Sequence, residues 1–580
     1  MGKLRLFPTA KRGILSDMIS QQIKKDLGKV CQKLKINPSK LFLEHPADSQ
    51  HGDYATNIAL RCWQKEYHSP FDLAAKIVNT WRSEGLPAYL AKIEVAKPGF
   101  INLWLERDFL ISQIDEVIKK KYLRATAKEK KGIMVEFAHP NTHKQFHIGH
   151  LRNICLGEAI CRLLEASGKP VCRVNYQGDV GLHVAKCLWG LLRFKKPNPR
   201  SLGQKIELLG KAYIKGHRAY EEDSKAKTEI EKLNLQIYNQ DKEIMKLWKE
   251  TRSWSLEYFD QIYQRLGAKF DRLYFESQVA KEGKKIVLQN LKKKIFQKSE
   301  GAVIFPGEKY GLHNRVFINQ KGLPTYEAKD IALAKKQFAD FSPLKILHVV
   351  GPEQKGYFEV VFKALEKVFP KTTNKEFHLI YGWVRLKNGK MSSRTGEVVL
   401  GEWLLSEVKK ILNRQFKMAE KIAEKVAIGA IKYSLLKFSP QSEIVFDINE
   451  SINLEGDSGP YLQYTYARCQ SVLAKSEIDL KKSELNLSHP YPKPEEQAIL
   501  RTVYKFPEVV QQAGEKFSPN LICSFLFDLA QKYNVFYNKH SILKADNKEL
   551  IRFRLFLTLA VSQVIKTGLN LLGIEAPEKM

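Results

Sequence analysis

The residues whose types and spacing most directly predict chemistry are His147 and His150, which enclose Gly149. Imidazole N–H groups can donate to phosphate oxygens as charge builds on them, and a glycine lets a phosphate approach the backbone closely. The string H-I-G-H ends a polar stretch from Pro140 to Phe146 and begins a segment with helical periodicity. Because helix N-termini point free N–H groups at anions, this position predicts binding of a nucleotide such as ATP.

A second candidate is the run K-M-S-S-R-T-G from Lys390 to Gly396. A glycine-flanked loop that carries a lysine and an arginine suits a mobile cation clamp on a triphosphate, adding positive charge as pyrophosphate leaves. Taken alone, the same run also fits an exposed basic loop. Its meaning therefore depends on the elements around it.

The elements around the histidines indicate a parallel sheet. Ile133 to Phe137 is a short strand of the buried type, a helix is predicted from Ile148 to Ser167, and Val171 to Tyr176 returns as a strand. Leu344 to Val350 and Phe377 to Tyr381 are further buried strands. Such a βαβ opening predicts an α/β fold with a Rossmann-like, doubly wound parallel sheet.

The flanking regions have different textures, and we predict three domains over 1–125, 126–404 and 405–580. The first is an α+β module, with helical periodicity over 14–34 and 73–81 and an alternating strand over 100–105. Residues 201–297 are charged and helical in pattern, and we interpret them as an insertion without sheet. From about residue 402 only amphipathic helices are predicted, which makes the third domain all-α.

Composition narrows the partners. The chain has 580 residues and a formal net charge of +32, which predicts attraction to a polyanion, although a lysine-rich solvated surface gives the same count. Its 8 cysteines include no C-x-x-C pair, so we expect neither structural zinc nor a disulfide framework. No apolar stretch reaches the roughly 18 residues of a membrane span, and the first residues lack a signal-peptide core. We expect a soluble, cytoplasmic protein.

Taken together on this scaffold, H-I-G-H and K-M-S-S-R resemble the two signatures of class I aminoacyl-tRNA synthetases. The second signature usually has a lysine where Arg394 stands. Arginyl-tRNA synthetases commonly show this change, with a lysine just before H-I-G-H taking over, and Lys144 matches that lysine. The resemblance implies that the catalytic residues are His147, His150, Lys390, Lys144 and Arg394, and that ATP is bound by His147, Gly149, His150, Lys390 and Met391.

The expected amino-acid pocket also resembles the arginyl family. Tyr326 and Asp330 form a Y-x-x-x-D pair on one helix face. A carboxylate beside a phenol suits a guanidinium, although without the family such a pair fits solvated helix surface equally. Matching family positions add three more residues, so that the resemblance implies arginine binding by Glu136, Asn141, Tyr326, Asp330 and Gln354.

Two positions near this pocket are less clear. Ala138 stands where the family usually has a serine that contacts the substrate, which predicts weakened arginine affinity or compensation by His139. Asp179 matches the family too, and both a nucleotide-pocket role and a turn-stabilising role remain open.

The terminal regions resemble the family's tRNA-binding domains. The run from His51 to Asn57 looks like the amino-terminal domain that packs against the tRNA elbow, and the run from Gly459 to Arg468 like the start of the anticodon-binding domain. Two tyrosines beside an arginine on one helix face suit splayed bases, with tyrosine packing in a helical core as the alternative. The implied tRNA-binding residues are Asp53, Tyr54, Asn57, Tyr461, Tyr464, Arg468 and Met580.

The resemblance implies a ligase that makes arginyl-adenylate from L-arginine and ATP, with Mg²⁺ on the phosphates, and transfers arginine to tRNA(Arg). It implies a monomer with no membrane partner, and activation that needs bound tRNA. One alternative is a class I synthetase for another amino acid, such as cysteine or glutamate, which shares both signatures. The other is a non-catalytic RNA-binding paralogue, which has no need of His147, His150 and Lys390. Small nucleotidyltransferases carry H-x-G-H but leave the helical carboxyl region unexplained.

Overall fold

The amino-terminal residues fold around a small antiparallel sheet. The computed structural model describes residues 18–119, 132–195, 198–387, 399–480 and 492–580. Strand β3 lies between β1 and β2 and is antiparallel to both. The predicted strand over 100–105 is confirmed. The two segments predicted to be helical, 14–34 and 73–81, contain or lie within observed helices at 19–33 and 70–83. The elements are α1 (Ile19–Lys33), β1 (Tyr54–Thr56), α2 (Ile58–Cys62), α3 (Pro70–Ser83), β2 (Leu90–Ala96), β3 (Phe100–Leu105) and α4 (Arg107–Ile118).

The middle of the chain alternates between strands and helices. Short 3₁₀ turns at Gly307–Tyr310, Pro352–Gln354 and Pro370–Thr372 join some of the elements. The elements are β4 (Ile133–Glu136), α5 (Ile148–Ala166), β5 (Val171–Gln177), α6 (Leu182–Leu191), α7 (Leu202–Glu222), α8 (Ser224–Tyr238), α9 (Lys242–Arg265), β6 (Arg272–Phe275), α10 (Glu276–Leu291), β7 (Gln297–Ser299), β8 (Ala302–Phe305), β9 (Arg315–Ile318), α11 (Tyr326–Phe341), β10 (Lys345–Val350), α12 (Lys355–Val368), β11 (Glu376–Ile380) and β12 (Val384–Leu386).

Five of these strands form a parallel sheet in the order β11-β10-β4-β5-β6. Alternate residues of β4 face opposite layers: Ile133 and Val135 join the core that contains α5, and Met134 joins the core that contains α11 and α12. The chain proceeds from β4 to β5 on one side and places β10 on the other. This reversal is the topological switch point at which open α/β sheets bind ligands. The predicted doubly wound sheet is confirmed.

One expectation about the charged segment 201–297 is wrong. Helices α7, α8 and α9 are as predicted, but Arg272–Phe275 forms β6, the edge strand of the central sheet, paired with β5. The strand is hard to recognise in the sequence because it is short, lies at an edge of the sheet, and is surrounded by charged helices. The inserted helices therefore end before β6.

The carboxyl region is built of helices. It contains α13 (Gly401–Phe416), α14 (Glu420–Leu436), β13 (Ile444–Phe446), α15 (Ile448–Ser451), α16 (Gly459–Ala474), α17 (Pro494–Val503), α18 (Phe506–Lys516), α19 (Asn520–Lys539) and α20 (Lys548–Leu571). The short β13, which the sequence did not predict, pairs in parallel with β12. Among the helices described, none is long and apolar enough to span a membrane.

The first and last regions of the chain are joined by buried polar contacts. The Tyr54 hydroxyl donates to Glu508 Oε1 at 2.6 Å, and His45 Nε2 lies 3.2 Å from the other oxygen of Glu508. Asp53 accepts the backbone N–H of Leu105 at 2.8 Å and faces Arg501 at 3.7 Å. These contacts fasten the small β-sheet to α17 and α18.

We predict that Tyr54→Phe loosens this junction. The change removes a hydroxyl that is buried with its carboxylate partner, and losing such a bond costs about 1–3 kcal/mol of the free energy of unfolding. Thermal and urea unfolding should both show the loss. The matched control is Tyr537→Phe, at a tyrosine that is 39% exposed. Equal unfolding midpoints for Tyr54→Phe and the wild type would show that the Glu508 contact contributes nothing.

Candidate active site

The loop between β4 and α5 is tied to the strands on both sides of β4. Asn141 forms an isolated bridge with Gly178, just beyond β5. The Ala138 N–H donates to Asn153 Oδ1 at 2.5 Å, and the Asn153 amide donates to the Val349 carbonyl of β10 at 2.8 Å. A Cβ on Gly178 would lie 2.1 Å from Asn141 Oδ1, so only glycine fits there. The loop is therefore held across the switch point of the sheet.

The H-I-G-H histidines cap the helix that follows them. His147 Nδ1 accepts the N–H of Gly149 at 3.1 Å, and His150 Nδ1 accepts the N–H of His147 at 3.1 Å. A Cβ on Gly149 would lie 2.9 Å from the His147 ring, which explains the glycine between them. Because each Nδ1 is an acceptor, each neutral ring carries its proton on Nε2.

Both rings are neutral at pH 7. Burial, assisted by the Lys144 ammonium, lowers the pKa of His147 to about 4. Burial also holds the pKa of His150 well below its usual value, with further contributions from His147 and Lys144. The Lys144 ammonium lies 4.6 Å from the centre of the Tyr213 ring of α7. The helix N-terminus thus has two neutral N–H donors and a cation close to them, an arrangement suited to phosphate.

The chain that follows the predicted basic loop returns to these histidines. Ile148 N–H donates to the Val399 carbonyl at 3.1 Å, and Gly401 N–H donates to the Phe146 carbonyl at 2.9 Å. These backbone bonds place the end of the loop beside the start of α5. The predicted residues Lys390, Met391 and Arg394 themselves lie outside the described residues.

His143, four residues before the start of the string, has a different role from the other two histidines. It is fully buried, with Nδ1 2.9 Å from Thr142 Oγ1 and Nε2 2.8 Å from Thr251 Oγ1, and its N–H donates to Ser255 Oγ at 2.9 Å. Burial lowers the pKa of His143 to about 3. It adopts a left-handed φ of 64°, which these bonds to α9 hold in place. His143 anchors the loop to the inserted helices.

Asp330 forms the centre of an acidic pocket. Its Oδ2 accepts the Tyr357 hydroxyl of α12 at 2.6 Å. Burial raises the pKa of Asp330 to about 8 in spite of that bond, and the charges of Glu136 and Glu276 act in the same direction. Three carboxyl groups thus lie close enough to repel one another. A cation bound among them would relieve that repulsion.

The predicted partners of Asp330 are arranged differently from the expectation. Tyr326 lies one turn earlier on α11, but it is 51% exposed and its ring centre is 4.6 Å from the Lys329 ammonium, which pairs with Glu276. The hydroxyl bonded to Asp330 is that of Tyr357. Gln354 is exposed at the start of α12. Tyr357 therefore contacts Asp330 directly, whereas Tyr326 is largely exposed on the same helix as Asp330.

Glu136 belongs to a buried hydrogen-bonded chain that the sequence did not predict. Its Oε1 accepts His348 Nδ1–H at 2.9 Å, and His348 Nε2–H donates to Glu376 Oε2 at 2.8 Å. Gln337 donates to the other oxygen of Glu136. Burial alone lowers the pKa of His348, but the two carboxylates raise it to about 10. His348 is therefore an imidazolium between two carboxylates.

Asp179 is a structural residue. It is fully buried and accepts hydrogen bonds from the Ser277 N–H at 2.8 Å, the Ser277 hydroxyl at 2.7 Å and Arg252 Nε at 2.9 Å. These bonds join the end of β5 to α9 and to the start of α10. Of its two expected roles, the structure places Asp179 in the turn-stabilising one.

A partly exposed aromatic surface lies on α16 and α19. The Arg468 guanidinium lies 4.9 Å from the centre of the Tyr464 ring and 4.8 Å from that of Tyr537. Tyr461 shares the helix face, and its hydroxyl accepts the Asn534 amide at 2.9 Å. The expected sharing of one face is observed, with Tyr464 and Tyr537 as the outward members. Such stacked planes can receive unpaired bases.

The other residues expected to contact tRNA lie inside the protein or at its junctions. Asp53 and Tyr54 are 2% and 1% exposed and serve the junction with α17 and α18. Asn57 precedes α2, and its Oδ1 is buried without a hydrogen-bond partner. Met580 is partly buried and packs against the hydrophobic core. In this arrangement Asp53 and Tyr54 position the domain, and their burial does not fit direct contact with RNA.

Within the described residues, no group of three or more His, Cys, Asp or Glu side chains is arranged to hold a metal ion. All eight cysteines are free thiols. Most of them are buried, and burial raises the pKa of Cys155 to about 11.

Comparison with known proteins connects this geometry to a family. The family model for class I (R) tRNA synthetase catalytic domains matches residues 113–448. A model for the arginyl-tRNA synthetase N-terminal domain matches 17–105, and one for the DALR anticodon-binding domain matches 462–580. The chain is 32% identical to an arginine–tRNA ligase of Phocaeicola vulgatus, over 87% of this chain and 90% of that protein. It belongs to the arginyl-tRNA synthetase family.

Other relatives agree with this assignment. An arginine–tRNA ligase of Treponema denticola is 32% identical over 94% of this chain and 96% of its own length. The solved arginyl-tRNA synthetase of Thermus thermophilus superposes with a TM-score of 0.81 at 25% identity, covering 97% of this chain and all of the other. The likeness includes all three regions of the chain, so the fold is that of the complete family architecture.

Within the family, the unusual residue Ala138 has a structural explanation. Its backbone, with a left-handed φ of 79°, is fixed by the bond to Asn153, and the residue is 2% exposed. The neighbouring His139 also has a positive φ, of 45°, and its Nδ1 lies 3.9 Å from Glu136. His139 therefore lies beside Glu136. Its Nε2 is buried and has no hydrogen-bond partner.

Several residues of the family site escaped prediction from the sequence. Tyr357 follows Gln354 by one turn, and an i, i+3 reading of α12 could have suggested it. His348 lies within a predicted buried strand and Glu376 directly before another, where a charged residue is itself a signal for a paired or functional group. The pairing partner, however, is distant along the chain.

We predict that His143→Ala and His147→Ala separate structure from function within one loop. Removing the fully buried His143 leaves a cavity and breaks its hydrogen bonds with Thr142 and Thr251, and should lower the free energy of unfolding by about 2–4 kcal/mol. Removing His147 deletes only a helix cap, which costs about 1 kcal/mol. Urea unfolding of both variants measures the difference. Equal destabilisation would contradict the anchoring role assigned to His143.

Proposed function

We propose that this chain is an arginine–tRNA ligase. It activates L-arginine with ATP to give arginyl-adenylate and pyrophosphate, and it then transfers arginine to the 3′-terminal adenosine of tRNA(Arg) for protein synthesis. The similarity to named arginine–tRNA ligases over most of the chain supports this activity.

The observation that carries the proposal is that an anion site and a cation site share one edge of the sheet. The α5 N-terminus presents the Nε2–H groups of His147 and His150. The same edge carries the acidic pocket of Asp330 and Glu136. ATP is an anion and the arginine side chain is a cation. The two sites together hold the substrates in the adjacent positions that adenylate formation requires.

In the first step the arginine carboxylate attacks the α-phosphorus of ATP, and pyrophosphate leaves. His147 and His150 donate hydrogen bonds to phosphate oxygens, and Lys144 adds a positive charge beside them. Lys390 and Arg394 supply further cations, because Val399, which follows them in the chain, accepts a hydrogen bond from the start of α5. Mg²⁺ enters with ATP as part of the substrate. The protein acts by positioning and charge, and no side chain serves as a nucleophile.

Selection of arginine follows from the same pocket. An ionised Asp330 accepts a bidentate pair of hydrogen bonds from the planar guanidinium, with Tyr326 and Tyr357 on either side. A lysine ammonium cannot fill that fork and leaves a buried acceptor unpaired. Asn141 and Gln354 hold the α-amino end in this proposal.

In the second step the terminal ribose of tRNA attacks the adenylate through its 2′-hydroxyl, the position that class I enzymes use. The partly exposed Tyr464, Arg468 and Tyr537 receive anticodon-loop bases, with Tyr461 and Met580 as further contacts, and Asn57 contributes from the amino-terminal domain at the tRNA elbow. The net charge of +32 attracts the phosphate backbone. We place the reaction in the cytoplasm, carried out by a monomer with domains over 1–125, 126–404 and 405–580.

The direct test is ATP–pyrophosphate exchange with each of the twenty amino acids, with and without arginine-accepting tRNA. We expect exchange with arginine alone, and mainly when tRNA is present. Exchange with another amino acid would retain the class but refute the arginine pocket. No exchange by folded protein under any condition would favour an RNA-binding paralogue.

The pKa of Asp330 predicts how arginine binding depends on pH. A guanidinium binds the carboxylate form, so below pH 8 binding requires Asp330 to lose its proton. The dissociation constant for arginine should therefore fall as pH rises from 6 towards 8, by up to about tenfold per pH unit, and level off above pH 8. Calorimetric titration between pH 6 and 9 measures this dependence.

The control for that titration is Asp330→Asn, which cannot ionise. The variant should bind arginine weakly and with no change between pH 6 and 8. A wild-type dissociation constant that is constant over this interval would show that Asp330 is already ionised and that its raised pKa plays no part.

A further inference from the structure

The hydrogen-bonded side chains of Glu136, His348 and Glu376 span three adjacent strands of the sheet, β4, β10 and β11. All three side chains are nearly inaccessible, with exposed fractions of 3%, 8% and 5%. The two bonds of the His348 ring are short and use both of its nitrogens. Phe358 and Phe362 pack on the ring, with centroids 5.1 and 5.5 Å away. The imidazole is thus fixed in position and orientation.

Two cationic side chains near Asp330 form ion pairs with its acidic neighbours. Lys329 pairs with Glu276, and His348 with both Glu136 and Glu376. Asp330 has a hydroxyl partner and no bonded cation among the described residues. A cationic side chain bound beside Asp330 would supply the partner that this carboxyl group lacks.

A buried carboxylate ionises at neutral pH only when a cation or several donors stabilise it. His348 supplies that stabilisation to Glu136, whose pKa it holds below the usual value against the effect of burial. His139, at 3.9 Å, is too distant for a hydrogen bond, and Gln337 donates only a neutral one. Without His348 the neighbouring Glu376 would instead repel an ionised Glu136. Protonation of Glu136 would then remove one negative charge from the pocket.

We propose that His348 is a positioning residue for arginine recognition: by bridging Glu136 and Glu376 it fixes an ionised Glu136 in the wall of the pocket, so that the pocket keeps a negative charge that attracts the cationic substrate. His348 does not touch the substrate and acts through Glu136. The proposal rests on the proposed arginine–tRNA ligase activity.

The test is His348→Gln in the full-length protein, with steady-state aminoacylation of tRNA(Arg). We expect the KM for arginine to rise at least about tenfold while the KM for ATP stays within about twofold of wild type, because only the cation-binding wall is altered. The matched control is His378→Gln. His378 is the register partner of His348 on β11, and burial together with the His348 charge lowers its pKa, so it supplies no cation.

A second substitution separates charge from packing. Adding Glu376→Gln to His348→Gln removes the carboxylate that repels Glu136. The arginine KM of the double variant should therefore be at least about threefold lower than that of His348→Gln alone. A residue that only fills the core would show no such recovery. Should His348→Gln fail to fold, Glu376→Gln alone serves: it removes one end of the bridge, and the arginine KM should rise about threefold or more.

The outcomes are distinct. A rise in the arginine KM alone, partly reversed by Glu376→Gln, supports the proposal. An unchanged arginine KM, or equal rises for arginine and ATP without recovery, overturns it and leaves the proposed function intact. Failure of the wild-type protein to charge tRNA(Arg) under any condition overturns the proposed function, and the proposal with it.

Discussion

The hydrogen bonds that cap α5 determine much of what this site can do. Each signature histidine uses Nδ1 to satisfy a backbone N–H at the start of the helix. The same bonds fix both rings in the Nε2–H tautomer, and burial keeps them uncharged. One local interaction therefore ends the loop, starts the helix and supplies two oriented donors. Because these donors are preorganised, they need not reorient when phosphate charge develops.

A site for an anion and a site for a cation can lie side by side only if the protonation state of each group suits its own ligand. Next to the α5 N-terminus, neutral imidazoles neither repel a cation bound at Asp330 nor compete with it for that carboxylate. At the acidic pocket, His348 pairs with Glu136 and Glu376, and Lys329 pairs with Glu276. Burying these groups works against stability, since removing each charge from water is costly and only good geometry compensates. The charged residues of the pocket are therefore better explained by ligand binding than by a contribution to the stability of the fold.

The sequence predicted what depends on local pattern. Strands β4, β5, β10 and β11 and helix α5 follow from apolar runs and periodicity, and the H-I-G-H string lies at the predicted strand-to-helix turn. Contacts that depend on the fold were missed. His348 is 212 residues from Glu136 and 28 from Glu376, so no local pattern links them. Tyr54 looked like a surface residue, because nothing local reveals that α18 covers it. Local rules find elements, and only the packed fold assigns their partners.

The same helix that presents the histidines also contacts the helical carboxyl region. A Cβ on Gly514 of α18 would lie 2.6 Å from Ser167 Oγ at the end of α5, so the two helices pack with little space between them. Arg162 of α5 donates to the Asn570 carbonyl of α20 at 2.9 Å. Helix α5 is 19 residues long, and a helix of that length spans about 28 Å without a hinge. If tRNA on the carboxyl helices is to promote activation, it must favour one placement of α18 and α20 over another. The packed end of α5 is where that difference would reach the histidines.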